Sequence, residues 1–390
     1  MNLNILYLGA FATQDLIDKY PTSGLDTYKV SEFLLRALKD RKDINLDVIT
    51  SPDLFSWPKF PVFFLNSHSN AENKTQLVSS LNLPLIKIVW TVVTMFFASA
   101  SIIRRNKGVT NVVVPYMVYR HALTARLLKR VYREKVKIIT IVPDIFFPTS
   151  CTAKWFNKKA EIMTRKSDAF VLYTSAMSEY LEITEKPFIV MEGVLDVSSI
   201  PCYERIISEK IVLLYTGALH PSHDVMKLID IIKSIENPNI ELWISGKGIL
   251  YNDIAVKSKQ DSRIKFFGTI EKSKVFELQA KADILINPRS DQDGDFLTKY
   301  MFPSKVMEYM YSGNPAVVCK MSGIPQEYYN YLVVPADNSV SEIVKSINEV
   351  ISWTSVQRKE FGEKAKSFIK NVKNADAQTD RIVKLINSLY

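Results

Sequence analysis

One rhythm constrains this chain more than any other feature: a short apolar run, a loop, a helix, then the next apolar run. In the first half the runs fall at Ile5–Leu8, Leu46–Ile49, Asn111–Val114, Lys137–Ile141, Ala169–Tyr173 and Phe188–Met191. In the second half they fall at Ile211–Tyr215, Ile240–Ile244, Ile264–Phe267, Ile284–Ile286 and Ala316–Val318. Helical segments such as Gly24–Lys39 and Val275–Lys281 follow most of them. Strands joined by helices rather than tight turns need crossovers, and crossovers give parallel sheets with helices on their faces. The expected fold class is therefore α/β. At 390 residues the chain is too long for one ordinary core, so two domains are expected. The segment Leu195–Lys210 holds Pro201, has no clear period and separates the two series, which marks it as the linker. Helices over roughly Val356–Asn371 and Ala377–Leu389 close the chain.

Composition narrows the class. Hydrophobic residues make up 47% and charged residues 23%, a globular balance without low-complexity tracts. Cys151, Cys202 and Cys319 are odd in number and far apart, which argues against a disulfide framework and for a reducing compartment. The first residues, MNLNILYLGAFA, have no basic leader and read as a buried strand rather than a signal peptide.

The net charge of +9 is unevenly spread. Between Lys87 and Lys137 stand eleven Lys or Arg against one acid, Glu134, a local surplus of ten. Such a zone attracts an anionic surface. Inside it, Ile88 to Ile103 is apolar apart from Thr91, Thr94, Ser99 and Ser101, and these 16 residues are short for a membrane span. As a helix the stretch puts Lys87, Thr91, Thr94, Ala98, Ser101 and Arg105 on one stripe and bulky apolar residues on the rest. A core helix is one reading. The other is a helix lying in a bilayer interface, with the basic segment Arg120–Arg133 on lipid headgroups. Nucleic acid is discounted, because the aromatic residues sit within strand and helix patterns instead of alternating with the basic ones.

The densest chemical signal is residues 284–318, ILINPRSDQDGDFLTKYMFPSKVMEYMYSGNPAVV. An apolar run ends in Asn287-Pro288-Arg289, a polar loop follows, and a helix opens at Pro303-Ser304-Lys305 with Glu308 one turn on. Pro at a first helical position leaves the following amides free, and the helix dipole adds partial positive charge there. Ser304 and Lys305 add a hydroxyl and a cation to that anion site. Glu308 follows about 6 Å along at 1.5 Å per residue, a spacing that suits phosphates at the helix head and a ribose diol on the carboxylate. Arg289, at a strand's C-terminal end, can neutralise a diphosphate or form a structural ion pair.

Pro303-Ser304-Lys305, then Glu308-Tyr309-Met310, then Ser312-Gly313-Asn314-Pro315 resembles the donor-site helix of retaining glycosyltransferases of family 4, which have the GT-B fold. The bacterial branch that builds capsule, exopolysaccharide and O-antigen (lipopolysaccharide) chains is the nearest in pattern. The resemblance covers most of the C-terminal half and, more weakly, the N-terminal half. It implies two Rossmann-like domains facing a central cleft: residues 1–200 for the acceptor, 206–375 for a nucleotide-sugar donor, and 376–390 as a helix packing back on the first domain. It further implies transfer with retained configuration, without metal and with no cofactor beyond the donor as co-substrate. The acceptor would be a lipid-linked oligosaccharide, and the enzyme cytoplasmic, held peripherally on the inner face of the plasma membrane.

Residue by residue, the resemblance gives Arg289 and Lys305 the departing diphosphate, with Ser304, and gives Glu308 the ribose. Gly217 and Gly246 fall in loops that line the nucleotide pocket, and Thr269 and Ile270 cover the base with main-chain groups. Gly24 faces the diphosphate from the first domain, Glu192 lies in a cleft-facing loop, and Asp144 lines the acceptor side. The leaving phosphate is expected to take the acceptor's proton, so no general base is named. The pattern is incomplete. Where members carry a second acid eight residues before the helix glutamate, this chain has Tyr300. The loop Gly217–His223 lacks the Arg and Lys that many members place there.

Two runs tempt a metal reading. His220 and His223 have only Asp224 for company, and two ligands do not make a zinc site. Asp291–Asp295 fails the calcium-loop pattern and reads as a solvated loop, a candidate lid. An epimerase of the same fold and a non-catalytic partner subunit stay open, the first hinted at by the two histidines and the second by Tyr300.

Overall fold

The structure is a computed structural model that describes residues 3–9, 25–51, 56–58, 62–70, 74–84, 86–106, 111–145, 150–197, 200, 201, 203, 210–291 and 298–390. The chain divides into two compact units, Met1–Val194 with Ala375–Tyr390, and Leu195–Asn374.

In unit 1 the chain runs through β1 (Leu3–Gly9), α1 (Leu25–Lys39), β2 (Ile44–Thr50), and the short strands β3 (Phe64–Leu65), β4 (His68–Asn70), β5 (Thr75–Leu77) and β6 (Ser80–Leu81). Next come α2 (Ile86–Arg105), β7 (Asn111–Pro115), α3 (Tyr119–Tyr132), β8 (Val136–Val142), α4 (Cys151–Thr164), β9 (Ala169–Leu172), α5 (Ala176–Tyr180) and β10 (Phe188–Val190). The sheet order is β10-β9-β8-β7-β1-β2-β5-β4, parallel throughout except for β4 against β5. Both faces are covered, and the period of two along β1 shows it. Ile5 and Tyr7 join one buried cluster, while Leu6 and Leu8 join the other with Met95, Ile103 and Leu128. Ile382, Leu385 and Ile386, from the last helix, complete the first of these clusters. The four short strands are two or three residues long, too short for any alternation to be read.

Unit 2 holds β11 (Ile211–Ala218), α6 (Lys227–Ser234), β12 (Ile240–Lys247), α7 (Tyr251–Gln260), β13 (Ile264–Gly268), α8 (Lys272–Lys281) and β14 (Ile284–Asn287). After these come α9 (Lys305–Ser312), β15 (Ala316–Val318), α10 (Val340–Ser352) and α11 (Ser355–Val372); α12 (Ala375–Asn387) then belongs to unit 1. The five parallel strands run in the order β13-β12-β11-β14-β15. Strand order reverses between β11 and β14, and such a switch opens a crevice at the carboxyl ends of the strands.

The linker segment is less loose than its sequence suggests. Leu195 and Val197 pack on a unit 2 cluster, the Val197 carbonyl accepts from Tyr311 Oη at 3.3 Å, and Tyr203 Oη donates to the Ser273 carbonyl at 2.8 Å.

Helix α2 corrects the expected stripe. It is 20 residues long, the one helix among the described residues long and apolar enough to cross a membrane by length and composition. It is docked on the core instead, with Thr91, Val92, Met95, Ser99, Ala100 and Ile103 buried. Thr91, expected on the polar stripe, turns inward together with Ser99, and small side chains there let the helix sit close to the sheet. The exposed stripe is Ile86, Val89, Trp90, Val93 and Phe97, with Val89 at 65% and Phe97 at 63% exposure.

Candidate nucleotide-sugar site

Four elements converge at the carboxyl edge of the unit 2 sheet: the ends of β11 and β14, the start of α8, and α9. Helix α9 begins at Lys305, and Ser304 is its N-cap with a helical backbone and no side-chain cap bond. Pro303 therefore precedes the cap rather than occupying the first helical position. The Val306 and Met307 amides are taken by the Pro303 and Ser304 carbonyls at 2.8 and 3.1 Å, so the amides at the very head are those of Ser304 and Lys305. The Ser304 side chain is exposed there.

Lys305 does not reach along the helix head. Its ammonium lies 4.1 Å from the centroid of the Tyr215 ring and donates to Tyr215 Oη at 2.9 Å. That group is enclosed, and burial pushes its pKa down from 10.5 to about 7. The nearby Arg289 guanidinium pushes the same way, and Glu308 opposes both. Arg289 is itself buried, with Nη1 3.4 Å from His223 Nε2 and Nη2 3.8 Å from Met301 Sδ. Two cations thus lie close together in an enclosed site, an arrangement that favours an incoming anion.

Gly217 makes room for the lysine. Its φ is +144°, and a Cβ there would lie 2.7 Å from Lys305 Nζ. Gly246 pairs with Gly217 across β11 and β12, and a Cβ on it would strike the Gly217 carbonyl at 1.8 Å. The two strand ends are pressed together at the crevice, and only glycine fits.

Glu308 sits one turn into α9 and is held on both oxygens. Lys272 Nζ, at the head of α8, is 2.5 Å from Oε1, and Gln279 Nε2 is 3.3 Å from Oε2. Gln279 also donates to Thr216 Oγ1 at 3.1 Å. The neighbouring Tyr309 hydroxyl accepts from the Thr216 amide at 2.9 Å and donates to its carbonyl at 3.2 Å, tying α9 to β11. Burial raises the Tyr309 pKa, so this bridge stays neutral and intact at any ordinary pH. Thr269 Oγ1 donates to the Gly246 carbonyl at 3.3 Å, and Ile270 is half-buried on the cluster that also packs α9.

The structure thus brings Lys305, Arg289 and Glu308 together, with Gly217 beside Lys305, Gly246 paired to Gly217, and Thr269 and Ile270 at the adjoining loop. Lys272, Gln279 and Tyr215 are further members that the sequence reading missed. Lys272 follows the Gly268-Thr269-Ile270 loop, a placement that could have flagged it, whereas nothing in the sequence marks Gln279 or Tyr215. Asn287 was missed as well. It ends β14 on the α9 side, is fully buried, and neither amide atom has a partner among the described residues.

The remaining expected residues lie elsewhere. Gly24, Asp293 and Asp295 fall outside the described residues, although Asp291 Oδ2 is seen to accept from the Ser322 amide at 2.6 Å. Glu192, expected in a cleft-facing loop, is buried in unit 1 and accepts from Gln378 of α12 at 3.4 Å. Asp144, just past β8, is exposed at the surface, and partial desolvation raises its pKa. Tyr300, at the position of the second acid, is buried with Lys299 Nζ 4.9 Å from its ring centroid. His220 Nδ1 caps the short turn Pro221–His223 by accepting from the Ser222 amide at 3.3 Å. Among the described residues no three His, Cys, Asp or Glu converge as a metal site.

Residues 210–352 match the family of glycosyl transferases group 1. No curated protein matches the chain in sequence. Among solved structures, the apo lipopolysaccharide outer core galactosyltransferase WaaB is similar over 100% of both chains, at 14% identity and a TM-score of 0.67. Anabaena Alr3699/HepE in complex with UDP aligns over 99% of this chain and 100% of its own, at 13% identity and a TM-score of 0.67. The catalytic domain of Arabidopsis thaliana starch synthase IV, bound to ADP and acarbose, aligns over 100% and 99%, at 10% identity and a TM-score of 0.66. The chain therefore has the GT-B fold, and the stretch that carries its Lys305–Glu308 pocket matches the group 1 glycosyl transferases.

Proposed function

We propose that the protein is a retaining, metal-independent glycosyltransferase that moves a hexose from a nucleoside diphosphate to a lipid-linked glycan at the inner face of a plasma membrane. The observation that carries the reading is the pair of neighbouring cations at the switch point of a parallel sheet: Lys305, enclosed one turn before Glu308, and Arg289, buried after β14. Breaking a sugar–phosphate bond leaves a diphosphate and an oxocarbenium-like sugar. Enclosed cations already in place meet the developing negative charge without reorganising. Glu308 then holds the ribose hydroxyls, an interaction equal in ground and transition states, so it contributes affinity rather than rate.

The neighbours supply the first nucleotide to try, since HepE is described with UDP and UDP-glucose, and WaaB's name places it in lipopolysaccharide core assembly. Retention and metal independence rest on the resemblance of the α9 segment. Association with a membrane is supported by the exposed α2 stripe beside the basic zone. Its chemistry departs from the sequence reading in one respect: Lys129 faces the protein, donating to the Val136 carbonyl at 2.7 Å and pairing with Asp168 at 3.3 Å.

Calorimetry with UDP, GDP and ADP tests the pocket. Glu308→Ala removes two charge-assisted hydrogen bonds to the ribose and is expected to weaken binding about 100-fold or more, at roughly 1.5 kcal/mol or more per bond. Unchanged affinity for every nucleotide sinks this assignment. Release of nucleoside diphosphate only when a glycan acceptor is added separates transfer from epimerisation and from an inert partner.

A further inference from the structure

The two partners of Glu308 are unequal. Lys272 approaches Oε1 at 2.5 Å, but its side chain is 55% exposed, so the pair is screened by solvent. Its ammonium also lies 4.8 Å from the Phe276 ring centroid, a resting place that does not depend on the carboxylate. Gln279, on the same helix α8, is only 1% exposed. Its Nε2 donates to Glu308 Oε2 at 3.3 Å and to Thr216 Oγ1 at 3.1 Å, which uses both amide hydrogens. A carboxylate only accepts, so the amide nitrogen must be the atom that faces Glu308. The amide oxygen is buried with no partner among the described residues. An orphan acceptor destabilises a fold, so the local packing keeps this orientation against a cost.

The backbone beneath Gln279 is fixed as well. Asn314, which follows α9, donates from Nδ2 to the Gln279 carbonyl at 2.9 Å and to the Ala280 carbonyl at 3.2 Å. Thr216, at the far end of the amide, is tied to Tyr309 of α9 and precedes Gly217, beside which Lys305 Nζ lies. Gln279 is thus a strut between the end of β11 and the carboxylate on α9.

We infer that Gln279 is a positioning residue that makes this site selective for a ribonucleoside diphosphate over its 2′-deoxy counterpart. The inference rests on the proposed nucleotide reading and deepens it by naming what sets the nucleoside class. An ionised carboxylate carries about four acceptor positions on its two oxygens. Gln279 occupies one of them on Oε2 and holds the carboxylate plane, while an incoming diol displaces the exposed Lys272 from Oε1. The vicinal hydroxyls then meet one oxygen each. The last torsion of a glutamate is soft, so an unheld carboxylate turns to meet a lone 3′-hydroxyl as readily as a diol. A held one is left with an unmatched acceptor when the 2′-hydroxyl is missing.

The test is calorimetry of UDP, GDP and ADP, each with its 2′-deoxy form, on the whole protein and two variants. The reading is the affinity ratio of the two forms for the nucleotide that binds most tightly. Lys305 and Arg289 drop out of that ratio, because both forms present the same diphosphate. Wild type is expected to prefer the ribose form by about tenfold or more. Gln279→Met keeps the length of the side chain, removes the donor, and is expected to bring the ratio within about threefold of unity. Gln279→Glu sets a like charge against Glu308 and is expected to do the same; it carries the test alone should Gln279→Met not fold. A ratio kept within about twofold of wild type in either folded variant overturns the inference, whatever becomes of the absolute affinities. A merely structural role gives that result, since it weakens both forms alike. If wild type binds a nucleotide without preferring its ribose form, the role of Gln279 falls and the nucleotide pocket stands. If wild type binds none of the three, the proposed function falls and takes this inference with it.

Discussion

Lys305 should couple nucleotide binding to proton uptake. Its ammonium is enclosed over Tyr215 beside Arg289, and its pKa stands at about 7 against an ordinary 10.5. The gap corresponds to about 5 kcal/mol against the charged form. In the unfolded chain the lysine keeps its proton up to pH 10.5, so between pH 7 and 10.5 the unfolded state binds more protons than the folded one. Stability of the ligand-free protein should therefore rise with pH across that window, and the penalty is complete below pH 7. A bound diphosphate supplies the missing negative charge and restores the pKa. At pH 8.5 the free site is mostly neutral and the complex charged, so binding should take up about one proton. The free lysine goes from about half neutral at pH 7 to about 99% neutral at pH 9, which predicts a roughly 50-fold loss of affinity. Calorimetry of UDP in buffers of different ionisation enthalpy reads the proton count directly. Lys305→Met should bind weakly, lose the pH slope and melt higher than wild type at pH 7. An uptake near zero, or the same slope in Lys305→Met, refutes the reasoning.

Three further outcomes follow from the same geometry. Lys272 occupies one oxygen of Glu308 through a half-exposed pair, so Lys272→Met should tighten nucleoside binding about twofold to fivefold; weaker binding would mean that the lysine contacts the ligand itself. Gly217→Ala forces a positive-φ alanine against Lys305 Nζ and should cost about 1–3 kcal/mol, read as a lower chemical-denaturation midpoint with the slope unchanged. Val93→Asp with Phe97→Asp should release the protein from phosphatidylglycerol vesicles, and Arg126, Arg130 and Arg133 to Glu should do the same in low salt. Co-sedimentation that persists in both variants removes the membrane surface.

The sheets were legible because their strands are buried on both faces. Runs such as Val112-Val113-Val114 and Ile284-Leu285-Ile286 leave no other element to form at that length, and every long strand was found within a few residues of its ends. Strands β3 to β6 are two or three residues long and partly polar, and their pairing is set by neighbours rather than by their own pattern. The Lys305–Glu308 spacing was readable because a helix fixes it. The direction of the Lys305 side chain was not, because it depends on Tyr215, ninety residues away. Gln279 and Lys272 escaped for the same reason: their partner, Glu308, is brought to them only by the crossover of α9. For α2 the period was right and the facing was wrong, since a helix with an apolar majority does not announce which side meets the sheet.

The chain leaves unit 1 at Val194 and returns to it at Ala375. Because Ile382, Leu385 and Ile386 share a cluster with Ile5 and Tyr7, residues made before the inserted stretch must wait for residues made after it. The inserted stretch, continuous from 195 to 374, suffers no such delay. During translation it should close first, leaving the opening half unfinished and dependent on chaperones until α12 emerges. A nascent chain stalled before residue 375 should accordingly be cleaved by protease within residues 1–194 while its later half resists.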